Sequence, residues 1–181
     1  MKRKAVFLDR DGTINLDKGY VYKISDFEYL PGVKEGLKLL QKAGFLLIVI
    51  TNQSGIGRGY YDEDDFEILN GWMLWDLENE GIYIDKTYYC PHHPQATILK
   101  YRKKCNCRKP EIGLYQKAIE DYEIDIGQSY VIGDRIRDLS ICELDSSIKG
   151  YLLYRGKYKA HGNVTMIQGG LLEAAQCITC V

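Results

Sequence analysis

Ala5-Val6-Phe7-Leu8-Asp9-Arg10-Asp11-Gly12-Thr13 is the stretch that decides the fold: an unbroken apolar run stops abruptly at two aspartates and a glycine. Four apolar residues without polar alternation read as a strand covered on both faces, the habit of parallel sheets. The same event recurs downstream. Leu46-Leu47-Ile48-Val49-Ile50 runs into Thr51-Asn52-Gln53-Ser54-Gly55, and Tyr130-Val131-Ile132 runs into Gly133-Asp134-Arg135. Thr87-Tyr88-Tyr89 and Tyr151-Leu152-Leu153 supply two further strand candidates. Helical spacing fills the intervals. A helix opening near Pro31 carries Val33, Leu37 and Leu40 on one face and ends at a Gly44 cap. Asp62 caps a second helix with Phe66, Leu69, Met73 and Leu77 inward, and a third runs from Leu114 to Tyr122. This alternation predicts an α/β fold, a central parallel sheet flanked by helices. Ligands then bind at the carboxyl ends of the strands, where these polar residues stand.

The 181 residues predict a single domain over 1–181, with no insertion long enough to form a large cap. Lys and Arg total 24 against 25 Asp and Glu, so the net charge of −1 advertises no nucleic-acid partner. No apolar run approaches the ~18 residues of a membrane span. The basic start Met1–Lys4 is followed by only Ala5–Leu8, too short for a secretory segment, so a cytoplasmic protein is expected. In that reducing compartment the six cysteines need a role other than disulfides.

Two aspartates at i and i+2, leaving a strand at a glycine turn, can aim at one point above the sheet. One carboxylate can then act as nucleophile while the other moves protons, and Mg²⁺ suits the same oxygen-rich spot. Taken alone, Asp9-Arg10-Asp11-Gly12 reads equally well as an Asx-rich turn. The other strand ends weigh against that. Thr51 to Gly55 offer hydroxyl and amide groups for phosphate oxygens, Arg108-Lys109 a paired cation, and Asp134 and Asp138 a second acidic pair. Cys90-x-His92 and Cys105-x-Cys107 form two close pairs across a short loop, a Cys₃His set suited to a structural Zn²⁺ in a loop at about 90–107. His93 is the alternative imidazole; the plainer reading has Cys90 buried beside its strand and both histidines capping a turn. Cys177 and Cys180 read as helix-end packing with a loose tail, and His161 as a surface loop residue.

Asp9-Arg10-Asp11-Gly12-Thr13, the strand-end Thr51, Lys109 and Gly133-Asp134-x-x-x-Asp138 resemble the four motifs of the haloacid dehalogenase superfamily of phosphatases. The resemblance runs in order from Asp9 to about Gly150 and implies a Rossmann-like haloacid dehalogenase fold. Within it, Asp17-Lys18-Gly19-Tyr20-Val21, Thr51 to Ile56, Cys90-Pro91-His92-His93-Pro94 and Cys105-Asn106-Cys107-Arg108-Lys109-Pro110 resemble the heptose 1,7-bisphosphate phosphatase family. The resemblance implies a Mg²⁺-dependent enzyme that removes the C7 phosphate of a small sugar bisphosphate, as a monomer feeding nucleotide-activated heptose synthesis. It implies Asp9 as nucleophile, kept ionised by the cations around it, and Asp11 as general acid/base. Asp9, the Asp11 backbone carbonyl and Asp134 would hold Mg²⁺; Thr51 and Lys109 would bind the transferring phosphoryl group. Arg108, Asn52, Gln53 and Ser54, with Asp17, Lys18, Gly19 and Tyr20, would line the substrate site, and Cys90, His92, Cys105 and Cys107 would bind Zn²⁺. Two positions depart from the pattern: Arg135 stands where lysine is frequent, and Cys142 where alanine is usual. The histidinol-phosphate phosphatase family is the alternative. Its loop is typically shorter than the twelve residues between His92 and Cys105, and it usually lacks the run Ser54-Gly55-Ile56-Gly57-Arg58-Gly59.

Overall fold

The computed structural model describes residues 2–153 and 162–180. Its elements run β1 (Ala5–Leu8), α1 (Val33–Lys42), β2 (Leu46–Asn52), α2 (Ser54–Arg58), α3 (Glu63–Glu78), β3 (Lys86–Cys90) and α4 (Gly113–Tyr122). They continue with β4 (Tyr130–Gly133), α5 (Ile141–Leu144), β5 (Lys149–Leu153), β6 (Val164–Ile167) and α6 (Leu171–Thr179). All six strands pair in parallel in the order β3-β2-β1-β4-β5-β6. The chain therefore winds outward from β1 in both directions, and the switch point lies between β1 and β4.

Alternation along each strand sorts the core into two layers. Val6, Leu8, Leu47, Val49 and Ile132 face α1, α3 and α6, while Ala5, Phe7, Ile48, Ile50 and Val131 face α4 and the Leu139–Cys142 segment. A third, smaller cluster of Ile56, Tyr61, Phe66, Ala96 and Tyr101 seats the 91–101 loop against α2 and α3. No helix among the described residues is long and apolar enough to cross a membrane.

The five expected strands are present, with β3 longer than its Tyr-rich centre by a residue at each end. The first helix opens at Val33 and not at Pro31, because Gly32 takes the left-handed conformation (φ 75°) and forms the cap. Asp62 caps α3 as expected, its carboxylate accepting from the Asp65 N–H at 2.9 Å. β6 was not expected, and α6 was expected only as a helix end on which Cys177 and Cys180 would pack; both cysteines instead face outward. Cys177 lies exposed within α6, Cys180 exposed at its end, and His161 falls outside the described residues.

α1 and α6 approach closely because Gly36 presents no side chain: a Cβ there would lie 2.5 Å from Leu171 Cδ2 and 3.0 Å from the Leu171 carbonyl oxygen. Gly36→Val should therefore part the two helices and cost about 1–3 kcal/mol, as overpacking does. Urea unfolding should show a lower midpoint at unchanged m-value; an unaltered midpoint would refute the close-packed seam.

Candidate active site

Each functional side chain leaves the carboxyl end of a strand or the start of the segment that follows it. Asp9 follows β1 directly, its N–H donating to the Ile132 carbonyl on β4 at 3.1 Å. Thr51 and Asn52 end β2, Asp134 follows β4, and Arg108-Lys109 precede α4. Gly12 (φ +87°) makes the turn possible, and any Cβ there would collide with the Asp134 carboxylate. Glycine is what lets the β4 acid lie against the β1 turn. Likewise a Cβ on Gly133 would strike Asp138, so Asp138 folds back beneath its own strand end.

Lys109 is the centre. It is buried, and its Nζ lies 2.6 Å from Asp9 Oδ1, 2.9 Å from Asp138 Oδ1 and 2.6 Å from the Ile50 carbonyl oxygen. Asn52 holds its backbone from both ends: Asn52 Nδ2 donates to the Lys109 carbonyl and Asn52 Oδ1 accepts the Lys109 N–H, each at 3.0 Å. Burial works against the ammonium, but Asp9 and Asp138 outweigh it and hold Lys109 above the usual lysine range.

Among the protein's own groups, burial pushes Asp9 up to about 7 against the pull of Lys109, with Asp138 adding to the rise. Burial, then Asp138, lifts Asp134 to about 6. Oxygens of Asp9, Asp134 and Asp138 gather within 4.8 Å of one another, and Asp134 Oδ1 is buried without a hydrogen-bond partner among the described residues. Three crowded carboxylates against one ammonium, with an orphaned oxygen among them, fit a hard divalent cation.

Asp11 is held by three side chains. Arg10 Nη2 contacts both its oxygens at 2.9 and 3.0 Å, Asn15 Nδ2 donates to Oδ1 at 3.1 Å, and Gln53 Nε2 donates to Oδ2 at 3.1 Å. Gln53 Nε2 also donates to Thr51 Oγ1 at 2.8 Å. Since that hydroxyl oxygen accepts there, its own proton is left to donate elsewhere. A pocket of about 280 Å³ opens beside these groups, lined by Asp11, Asp17, Gly19, Tyr20, Asn52, Gln53, Ser54 and Tyr61, and by Arg58, Arg108, Arg135 and Arg137.

Most expected pocket residues are thus brought together, with corrections. Lys18 does not line the pocket; its ammonium pairs with Glu28 at 3.0 Å on the surface. Asn52 and Gln53 do reach the wall, but their amides are committed to Lys109, Thr51 and Asp11. Arg10, Arg58 and Arg137 were not singled out as site residues, and Asp138 was read as half of an acidic pair without a role of its own. Arg10 gave no signal, because a charged residue between two acids reads as exposed.

The second cluster closes the loop after β3. Cys107 Sγ lies 3.1 Å from Cys90 Sγ, 3.3 Å from Cys105 Sγ and 3.2 Å from His92 Nδ1, and Cys90 Sγ lies 3.6 Å from Cys105 Sγ and from His92 Nδ1. All three cysteines are free thiols. Ligands ~2.3 Å from one zinc stand roughly 3.7 Å apart, so the donor set fits tetrahedral Zn²⁺. His93 is elsewhere: its Nε2 meets Arg58 Nη2 at 3.2 Å and its Nδ1 accepts the Gln95 N–H at 3.0 Å. Arg108, next after Cys107, reaches from this knot to the pocket and donates to the His92 carbonyl at 3.3 Å.

Comparison with known proteins matches this arrangement. A family model described as polynucleotide kinase 3 phosphatase matches residues 4–140. The D-glycero-beta-D-manno-heptose-1,7-bisphosphate 7-phosphatase of Haemophilus ducreyi is 49% identical over 86% of this chain and 85% of its own length. Its Escherichia coli K12 counterpart is 48% identical over 75% of this chain and 71% of its own length. Among solved structures, the D,D-heptose 1,7-bisphosphate phosphatase of B. bronchiseptica, complexed with magnesium and phosphate, superposes with a TM-score of 0.84 at 26% identity, covering 97% of both chains. The chain belongs to the haloacid dehalogenase superfamily of phosphatases, in the family of the heptose-1,7-bisphosphate 7-phosphatases.

Proposed function

We propose that this chain, acting as a single-domain cytoplasmic monomer, removes the C7 phosphate of D-glycero-D-manno-heptose 1,7-bisphosphate and leaves the heptose 1-phosphate. The observation that carries this reading is the buried Asp9–Lys109–Asp138 system beside a pocket ringed by four arginines. A bisphosphate needs one anion site for chemistry and a second for grip. The identity to heptose bisphosphate phosphatases supports the choice of sugar.

In this mechanism an Asp9 carboxylate oxygen attacks phosphorus, forming an aspartyl-phosphate as the bond to the C7 oxygen breaks. Lys109 Nζ and the Thr51 hydroxyl meet the equatorial oxygens, where phosphoryl transfer concentrates its charge. Asp11 gives a proton to the departing C7 oxygen. It then takes one from the water that hydrolyses the aspartyl-phosphate, releasing phosphate and restoring Asp9. Asp9, Asp134 and the Asp11 backbone carbonyl would hold Mg²⁺, which would supply the neutralising charge for an anion approaching an anion. Asp138 keeps Lys109 aimed at Asp9, and Cys90, His92, Cys105 and Cys107 would hold a Zn²⁺ in place of the core that this loop cannot build for itself.

Asp9→Asn should abolish turnover, and acid quench of the parent enzyme should trap phosphate on Asp9; turnover by Asp9→Asn at near parental rate excludes the covalent route. Lys109→Met should lower kcat by more than about 10²-fold, because it removes charge from the transition state. Arg108→Ala should mainly raise KM, because that arginine grips the part of the substrate that does not react. The reverse pattern would exchange their roles. Substrate is tested by comparing kcat/KM for both heptose bisphosphate anomers, fructose 1,6-bisphosphate and histidinol phosphate. A tenfold preference for histidinol phosphate overturns the assignment.

Elemental analysis should find about one zinc per chain, as four protein ligands imply. Cys107→Ser should lose it, speed proteolysis within 90–107 and lower activity through misplaced Arg108. The sheet should stay folded, since Asp9 and Asn52 stand on other strands. Unchanged kinetics and unchanged protease resistance would reduce the cluster to packing.

A further inference from the structure

We propose that Arg10 is a positioning residue that locks the Asp11 carboxylate for its proton transfer, an inference that rests on the reading of Asp11 as the general acid. Arg10 is 1% exposed and heads the fully buried side chains by volume. Burying a guanidinium is costly, and an apolar side chain of similar size would commonly hold a fold as well or better. The burial here is not even fully compensated: among the described residues, Nη1 has no hydrogen-bond acceptor. Stability alone therefore does not account for this cation.

What it does make is a fork on one target. Nη2 lies 2.9 and 3.0 Å from the two Asp11 oxygens, and Nε lies 3.3 and 3.2 Å from the same pair. Nη2 also donates to the Val21 carbonyl at 2.8 Å, and the Phe66 ring stands 5.7 Å from the guanidinium carbon. The nitrogen that faces Asp11 is thus also tied to the backbone of the 17–21 loop. The four near-equal distances set the carboxylate astride one edge of the guanidinium, so two donors fixed on a rigid frame address both oxygens, which a single ammonium cannot do.

The same cation sets the direction of Gln53. Arg10 can only donate, so Gln53 must turn Oε1 toward Arg10 Nη2, at 3.4 Å, and toward the Tyr61 hydroxyl. Gln53 Nε2 is then the atom left to donate to Asp11 Oδ2 and Thr51 Oγ1. One buried arginine thereby orients the proton carrier directly and the Thr51 hydroxyl through an amide. Asp11 meanwhile remains part of the pocket wall, with its side chain 21% exposed. Held this way it loses its free choice of rotamer before substrate arrives.

The alternative is that Arg10 merely staples the 17–21 loop to the end of β1, and leaving-group dependence separates the two. The measurement is kcat/KM across substituted phenyl phosphates from p-nitrophenyl to phenyl phosphate, for the parent, Arg10→Lys, Arg10→Met and Asp11→Asn. This parameter covers only steps up to leaving-group departure, and ratios within one preparation do not depend on the folded fraction. A well-stabilised nitrophenolate needs little help from an acid; phenolate needs more. Both Arg10 variants should lose about 10²-fold on phenyl phosphate but less than about tenfold on p-nitrophenyl phosphate, steepening the dependence in the direction of Asp11→Asn. Arg10→Lys should not rescue, because it restores charge without the fork. Arg10 plots that fall parallel to the parent while Asp11→Asn steepens would overturn this proposal alone. An Asp11→Asn plot of parental slope would overturn the reading of Asp11 and this inference with it. Failure of both Arg10 variants to fold would assign the residue to the scaffold and overturn the proposal.

Discussion

The ammonium of Lys109 is the constraint on which the rest depends. It stands against Asp9, Asp138 and the Ile50 carbonyl, with almost no access to water. A buried cation is tolerable only where every partner is in place, and here the partners come from β1, β2 and the segment after β4. The parallel sheet brings those three strand ends side by side. The glycines at 12 and 133 let the acids pack without an intervening Cβ. Asn52 fixes the lysine's backbone, and the cysteine and histidine knot fixes the chain that leads to it.

Charge arithmetic then explains why the site is made for phosphate and a divalent ion together. Asp9, Asp134 and Asp138 bring three carboxylates to one buried ammonium, so burial drives Asp9 and Asp134 upward. The pocket wall alongside carries four arginines, one of them, Arg135, paired with Asp17 at 3.2 Å. The rim thus suits an anion and the acidic floor a cation.

Much of this was legible in the residues, and the exceptions have physical causes. Strands such as Leu46–Ile50 announced themselves because both faces are covered, which permits no polar alternation. The ends of those strands were equally clear, since acids and amides there have no structural excuse in an apolar layer. β6 escaped because Val164-Thr165-Met166-Ile167 is a short edge strand with one polar position. α6 was seen only by its end, although Leu171, Ala174, Ala175 and Ile178 carry helical spacing. Side chains that change partner were the hardest. Asn52 and Gln53 look like sugar ligands in a sequence, yet their amides hold protein groups, and Lys18 turns away to Glu28. Arg10 was invisible because nothing in a linear string distinguishes a solvated arginine from one walled in by Phe66, Gln53 and the Val21 carbonyl.

The contact between Asp9 and Lys109 joins residues 100 positions apart. During synthesis the first strand and Asp9 leave the ribosome long before the lysine does, at a pace of about 5–20 residues per second. For those seconds the early chain carries Asp9 and Asp11 without the ammonium, the second acidic pair or the cysteine and histidine knot. The set of charges closes only once Asp134 and Asp138 have followed Lys109 out, so the site is complete no earlier than the sheet's fourth strand.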